Sequence, residues 1–279
     1  MPETVLITGC SSGFGLLTAL HFARRGARVV ATLRDARKAG ALEQARADEG
    51  LDLHVVELDV LDPASVAAAV ERAEALGPID VLINNAGIEV RGPIEDCDDA
   101  LVQRQFDTNV RGTLRVLRAV LPRMRDRRRG TIVNLSSVAG VVARPYGGLY
   151  SASKHALEAI SEALYYEVKP FGVRVVLVEP GQYATQLSTN MVTAPSFTAA
   201  SPYWNHSTAF DVHVRKLASG GAPADPQEVA RIVYDAVHDA HPRLRYLAGA
   251  DAHLAVGAYR QLDFEQYEQA MRGAMDWWD

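Results

Sequence analysis

Thr4-Val5-Leu6-Ile7-Thr8-Gly9-Cys10-Ser11-Ser12-Gly13-Phe14-Gly15 is the stretch on which the reading of this chain turns. Its first half is a short, β-branched apolar run. Such a run suits a strand buried on both faces of a parallel sheet. Its second half is a glycine- and serine-rich turn, and Leu16 to Arg25 then reads as a helix. A strand, a glycine turn and a helix together point backbone N–H groups and a helix N-terminus at one spot, which is where a phosphate binds. Glycine allows the tight turn and the close approach of a pyrophosphate. The candidate binding residues are therefore Gly9, Ser11, Ser12, Gly13, Phe14 and Gly15. The spacing is Gly-x-x-x-Gly-x-Gly, and a plain strand–helix turn is the competing reading.

Working outward, the same alternation recurs. Strands are predicted at 28–33, 53–58, 79–83, 131–135, 173–178 and 244–247, with helices at about 37–47, 63–76, 98–128, 150–169 and 226–238. Asp62 would cap the third helix and Pro63 suits its first position. Strands alternating with helices imply one doubly wound, Rossmann-type parallel sheet with helices on both faces. Such sheets bind ligands at the carboxyl ends of their strands. The turn at Gly9, Asp59, Asn85 and Ser137 all fall at such ends. The second strand closes on Leu33 and Arg34. In dinucleotide folds an acidic residue there takes a ribose hydroxyl, whereas an Arg accommodates a 2′-phosphate. Arg34 beside Leu33 argues for NADP(H) over NAD(H). Asp35 is the rival ribose ligand, and is read instead as the N-cap of the next helix.

The 279 residues, 48% hydrophobic and 23% charged, form a single domain spanning 1–279 on this reading. A net charge of −5 gives no reason to expect nucleic acid, and two cysteines make no disulfide framework. With no apolar run of membrane-spanning length and no leader-like N-terminus, the chain reads as soluble and cytoplasmic. The segment 98–128 reads as one long helix or two in tandem. Asn109 within it is either an exposed polar residue or a local break holding a water. From about 186 to 226 no periodicity is visible, and a loop that long after a strand end is a candidate substrate lid. His206 and His213 lie in it without clustered partners, and neither is expected to bind metal. The tail from Asp251 ends in Trp277 and Trp278, which suit packing on the domain or on a partner.

Tyr150-Ser151-Ala152-Ser153-Lys154 carries the chemistry. On a helix, Tyr150 and Lys154 share a face one turn apart. A phenol with a pKa of about 10 is a poor acid or base at neutral pH, and a nearby ammonium favours its ionised form. A surface pair is the competing reading. Lysine is scarce here, however: four residues (Lys38, Lys154, Lys169, Lys216) among 29 basic ones. Lysine is the compact, tunable cation, and arginine does not replace it.

These motifs, in this order, resemble the short-chain dehydrogenase/reductase family over nearly the whole chain. They are Thr8 to Gly15, Asn84-Asn85-Ala86-Gly87, Asn109, Ser137, Tyr150-x-x-x-Lys154 and Pro180-Gly181-x-x-x-Thr185. The glycine motif and Ala31-Thr32-Leu33-Arg34-Asp35 look closest to the 17β-hydroxysteroid and retinol dehydrogenase branch. The resemblance implies that Tyr150 is the acid or base on the substrate oxygen. Lys154 lowers its pKa and holds the nicotinamide ribose, Ser137 orients the carbonyl, and Asn109 anchors a water leading to Lys154. Asp59, with Val60 beside it, would contact the adenine. Asn85, Ala86 and Gly87 would border the adenosine ribose, Thr185 would hold the carboxamide, and Pro180 and Gly181 belong to the same cofactor-binding set. Gln182 and Tyr183 replace the small or aliphatic residues usual after Pro180-Gly181. The resemblance further implies a homodimer or homotetramer built on the helices at 98–128 and 150–169. The expected activity is NADP(H)-dependent interconversion of an alcohol and a ketone or aldehyde on a bulky, largely apolar small molecule. The alternative is a regulator that binds the nucleotide without turning over.

Overall fold

The computed structural model describes residues 2–183, 191–219 and 224–275. Thr185 and the Trp277–Trp278 pair lie outside them, as does part of the expected lid. A central sheet of seven parallel strands runs in the order β3-β2-β1-β4-β6-β7-β9. Its strands are β1 (Thr4–Ile7), β2 (Arg28–Leu33), β3 (Leu53–Glu57), β4 (Ile79–Asn84), β6 (Gly130–Leu135), β7 (Val173–Pro180) and β9 (Arg245–Ala248). Most of these strands are apolar on both faces, so the pleat divides them between two cores. Val5 and Ile7, Val29 and Ala31, and Val81 and Ile83 belong to one core. Leu6, Val30 and Leu82 belong to the other. Helices α1 (Gly13–Ala23) and α8 (Gln227–His238) cover the first face; α3 (Pro63–Leu76), α5 (Thr113–Arg127) and α6 (Gly148–Val168) cover the second. The order reverses between β1 and β4, which places a switch-point crevice at their carboxyl ends.

Most predicted elements stand within two residues of their expected ends. Asp62 accepts from Ala64 N at 2.8 Å and Pro63 opens α3. Asp35 caps as expected, but the element is a 3₁₀ turn at Ala36–Lys38, and α2 (Gly40–Glu49) follows it. The segment 98–128 is two α-helices, α4 (Asp99–Phe106) and α5, joined by a π-helical turn at Asp107–Gly112. Asn109 sits in that turn and is 2% exposed, which sets aside the exposed-residue reading. Among the described residues, no helix is long and apolar enough to cross a membrane.

Two regions differ from expectation. The stretch 186–226 contains a short strand β8 (Met191–Thr193), paired in parallel with β5 (Glu89–Arg91), and a helix α7 (Trp204–Ser219). The inward positions of α7 include Ser207 and Phe210, at 1% and 5% exposure. One of these is polar, so the apolar periodicity is faint. The tail from Asp251 is two helices, α9 (Ala250–Gln261) and α10 (Phe264–Met275).

Candidate active site

A cleft of about 1010 Å³ lies along the carboxyl ends of β1, β2, β4, β6 and β7. It takes in Gly9, Ser11, Ser12, Gly13 and Phe14, then Arg34, Asp59 and Val60, then Asn85, Ala86 and Gly87, and finally Ser137, Tyr150, Lys154, Pro180 and Gly181. Residues spread over most of the chain thus meet in one crevice, as the strand-end argument requires.

Glycine is required at the first turn for two reasons. Gly9 and Gly13 have φ of +75° and +57°, where a side chain is strained. A Cβ on Gly15 would lie 2.3 Å from the Gly9 carbonyl oxygen and 2.4 Å from Asn85 Nδ2. Asn85 locks the turn to the sheet, donating from Nδ2 to the carbonyls of Thr8 (2.9 Å) and Gly9 (3.0 Å). The Thr8 hydroxyl accepts from Asn85 N and Ala86 N, each at 3.0 Å. No side chain caps α1, and its first residues, Gly13 and Phe14, line the cleft. That cradle fits the pyrophosphate of a dinucleotide.

Arg34 is exposed and lines the cleft beside buried Leu33. Asp35 is engaged by Arg37, accepting from its backbone N at 3.1 Å and from its guanidinium at 2.8 and 3.0 Å. That pairing holds the Asp35 carboxyl below the usual carboxylate range.

Helix α6 presents Tyr150 and Lys154, 8% and 7% exposed, which overturns the surface-pair reading. Burial pushes the Tyr150 phenol above its ordinary value, while the Ser137 hydroxyl and the Arg144 guanidinium pull it down. Burial takes the Lys154 ammonium down to about 8, with Glu158 one turn along opposing it. Lys154 Nζ lies 5.7 Å from the Tyr150 ring centre and donates to Leu135 O at 2.6 Å. Both the Arg144 guanidinium and the Lys154 ammonium therefore stand near the phenol. Ser137 Oγ accepts from Ala139 N at 3.1 Å, which orients it at the end of β6.

Asn109 works as a clamp. Its Oδ1 accepts from Ile88 N at 2.9 Å, and its Nδ2 donates to Ile88 O and Ser153 Oγ, each at 3.0 Å. The π turn thereby ties α6 to the strand end after Gly87. Gln182 and Tyr183 find specific partners. Gln182 N donates to Asp251 Oδ2 at 2.7 Å, and Tyr183 donates to Glu228 at 2.9 Å and packs edge-on against Phe14.

The chain matches the short chain dehydrogenase family model over residues 3–195. It belongs to the short-chain dehydrogenase family. This short-chain dehydrogenase is 39% identical to retinol dehydrogenase 8 of Bos taurus over 254 residues, covering 88% of this chain and 80% of that one. It is 38% identical over 259 residues to 17-beta-hydroxysteroid dehydrogenase type 1 of Homo sapiens, covering 87% and 76%. A crystal structure of a short-chain dehydrogenase from Streptomyces avermitilis superposes with a TM-score of 0.83 at 31% identity, covering 98% of each chain. Solved relatives hold either nucleotide. An actinorhodin polyketide ketoreductase carries NADPH (TM-score 0.76, 28% identity, 88% and 95% coverage), and a Burkholderia phymatum enzyme carries NAD (0.80, 28%, 96% and 95%).

Several lining residues of this dehydrogenase carry no sequence signal. Glu89, Arg91, Arg144 and Asp211 reach the cleft, as do Leu254, Phe264, Tyr267 and Met271 of α9 and α10. The spacing of Phe264, Tyr267 and Met271 (i, i+3, i+7) is the one cue that could have marked the cleft-lining side of a helix.

Proposed function

We propose that this protein is an NADP(H)-dependent oxidoreductase that interconverts a secondary alcohol and a ketone, or a primary alcohol and an aldehyde, with Tyr150 as acid and base. The observation that carries the reading is Tyr150 and Lys154, buried together in the cleft that the glycine turn opens onto. Gly9 to Gly15 would hold the pyrophosphate, Asp59 and Val60 the adenine, and Asn85 to Gly87 the adenosine ribose. Lys154 would hold the second ribose, and Pro180, Gly181 and Thr185 would border the carboxamide. The cofactor supplies or takes up a hydride when bound.

The protein's own work is proton transfer and positioning. In reduction the Tyr150 hydroxyl gives its proton to the carbonyl oxygen, and in oxidation the phenolate takes the proton from the alcohol. The Ser137 hydroxyl holds the same oxygen. A charged Lys154 near the phenol stabilises its anionic form, and Asn109, which fixes Ile88 and Ser153, would hold the water through which the proton is replaced. Arg34, with Asp35 occupied by Arg37, favours a 2′-phosphate over a free ribose hydroxyl.

The reading also has this chain assemble as a homodimer or homotetramer through α4–α5 and α6, and act in the cytoplasm on a bulky substrate. The size of the cleft supports such a substrate. The test of the chemistry is Tyr150→Phe. Turnover should fall by at least about 10²-fold while nucleotide titration by fluorescence still saturates. Activity equal to the parent would remove Tyr150 from the mechanism.

A further inference from the structure

The residues from Pro180 to Tyr183 line the cleft, and each is tied to another part of the chain. Pro180 O accepts from the Ser137 hydroxyl at 3.4 Å. Gly181 N donates to Ala248 O, at the end of β9, at 2.9 Å. Gln182 N donates to Asp251 Oδ2 at 2.7 Å, and the Tyr183 hydroxyl donates to Glu228 of α8 at 2.9 Å. Ala248, Asp251 and Glu228 all lie beyond residue 195, where the match to the family model ends. Of these three, Asp251 is the charged group that holds a backbone N–H, and it also lines the cleft.

Asp251 stands half-buried in the first turn of α9. An acidic residue there is ordinary, since it answers the positive end of the helix. Two features set this one apart. Its acceptor oxygen reaches a strand end 69 positions away, and a charged acceptor holds an N–H more tightly than a neutral one. Its carboxylate also fills a space that two glycines from separate segments leave open. A Cβ on Gly181 would overlap Asp251 Oδ1, and one on Gly249, whose φ is +98°, would lie 2.6 Å from it. The carboxylate is thus seated between the ends of β7 and β9. It fixes Gln182 N between Gly181 and Tyr183, whose ring packs on Phe14 of the glycine turn. We infer that Asp251 is a positioning residue for the bound nucleotide: it sets the path of the chain from Pro180 to Tyr183, against which the nicotinamide end lies. This inference rests on the NADP(H) oxidoreductase reading and adds to it a residue outside the matched segment.

The test separates the two ends of the nucleotide. Adenosine 2′,5′-bisphosphate carries the adenosine end and lacks the nicotinamide. Its affinity and that of NADPH are measured by calorimetry on the full chain and on three variants. Asp251→Ala loses the acceptor. Asp251→Glu keeps the charge but is one methylene too long for the space between Gly181 and Gly249. Both should weaken NADPH by about tenfold or more and leave the bisphosphate within about threefold of the parent. Asp251→Asn, whose Oδ1 still accepts from Gln182 N, should bind NADPH within about threefold of the parent. With two weakening variants the test does not hang on one of them folding, and bisphosphate binding reports that the nucleotide site is folded. Parental NADPH affinity in either the Ala or the Glu variant, equal weakening of both ligands, or an Asn variant as weak as the Ala one overturns the inference and leaves the oxidoreductase reading standing. A parent protein that binds no NADPH overturns the NADP(H) reading and this inference with it.

Discussion

At the scale of single residues, local spacing was enough wherever one residue's neighbours along the chain decide its surroundings. Tyr150 and Lys154 face one way because α6 places them one turn apart, and Gly15 is small because the chain folds back on Gly9. Gly15→Ala tests the second point. Its methyl would have to displace a backbone carbonyl and the Asn85 amide, so nucleotide affinity should drop at least tenfold on titration, with a loss of about 1–3 kcal/mol in stability. Parental affinity would mean that the cradle yields. The cofactor preference is a second residue-scale matter. Replacing Leu33 by Asp and Arg34 by Gln should move the NADPH-to-NADH ratio of kcat/KM towards NADH by about tenfold or more; an unmoved ratio would assign the 2′-phosphate to another cation. Arg144 could not be read from the sequence. Its pairing with Glu89 joins positions 55 apart, and nothing local records that.

At the scale of elements, the seven strands of the central sheet were legible because they read as short, largely apolar and mostly buried runs; β5 and β8, three residues each, were not. Of the helices after β7, α8 was legible at 226–238, but α7, α9 and α10 were not. The buried side of α7 includes Ser207, and α9 and α10 expose Leu254 and Phe264 at 65% and 69%, so their apolar stripes are blurred. The join of β7 to α6 and β9 carries the third prediction. Glu179 is fully buried near the end of β7, and neither of its carboxylate oxygens has a hydrogen-bond partner among the described residues. Glu158 of α6 and Arg245 of β9 lie against it, Arg245 Nε at 3.0 Å from Glu158 and 3.4 Å from Glu179. Burial, and then the Glu158 charge, push the Glu179 carboxyl up to about 7, with Arg260 and Arg245 opposing. The folded protein therefore holds a proton on Glu179 that the unfolded chain releases near 4.5. Stability from this group is complete below that value and is lost as pH rises through about 7. Glu179→Gln should remove that loss, worth on the order of 2–3 kcal/mol. Thermal melts from pH 5 to pH 8 should show the parent losing stability relative to the variant. Parallel curves would mean that Glu179 does not titrate in that window.

At the scale of the whole molecule, the parallel sheet and the crevice at its strand ends followed from the alternation of elements, since right-handed crossovers leave few topologies open. Which surfaces meet another copy does not follow from such alternation, because an interface is a property of two chains. The helices on that side still carry a cue. Tyr166 on α6 is 68% exposed and packs edge-on against Tyr165, while Phe171 just beyond α6 is 38% exposed. Two aromatic side chains exposed close to the end of α6 suit contact with a partner. If α4–α5 and α6 form the assembly face, Tyr166→Glu places a charge in the middle of it. Sedimentation velocity should then show the parent as a dimer or tetramer and the variant shifted to smaller species. Because assembly ties up only the folded chain, losing it should also lower the melting temperature and weaken its dependence on protein concentration. A parent protein that sediments as a monomer at every concentration, or a variant with an unchanged profile, would take the assembly face away from α6.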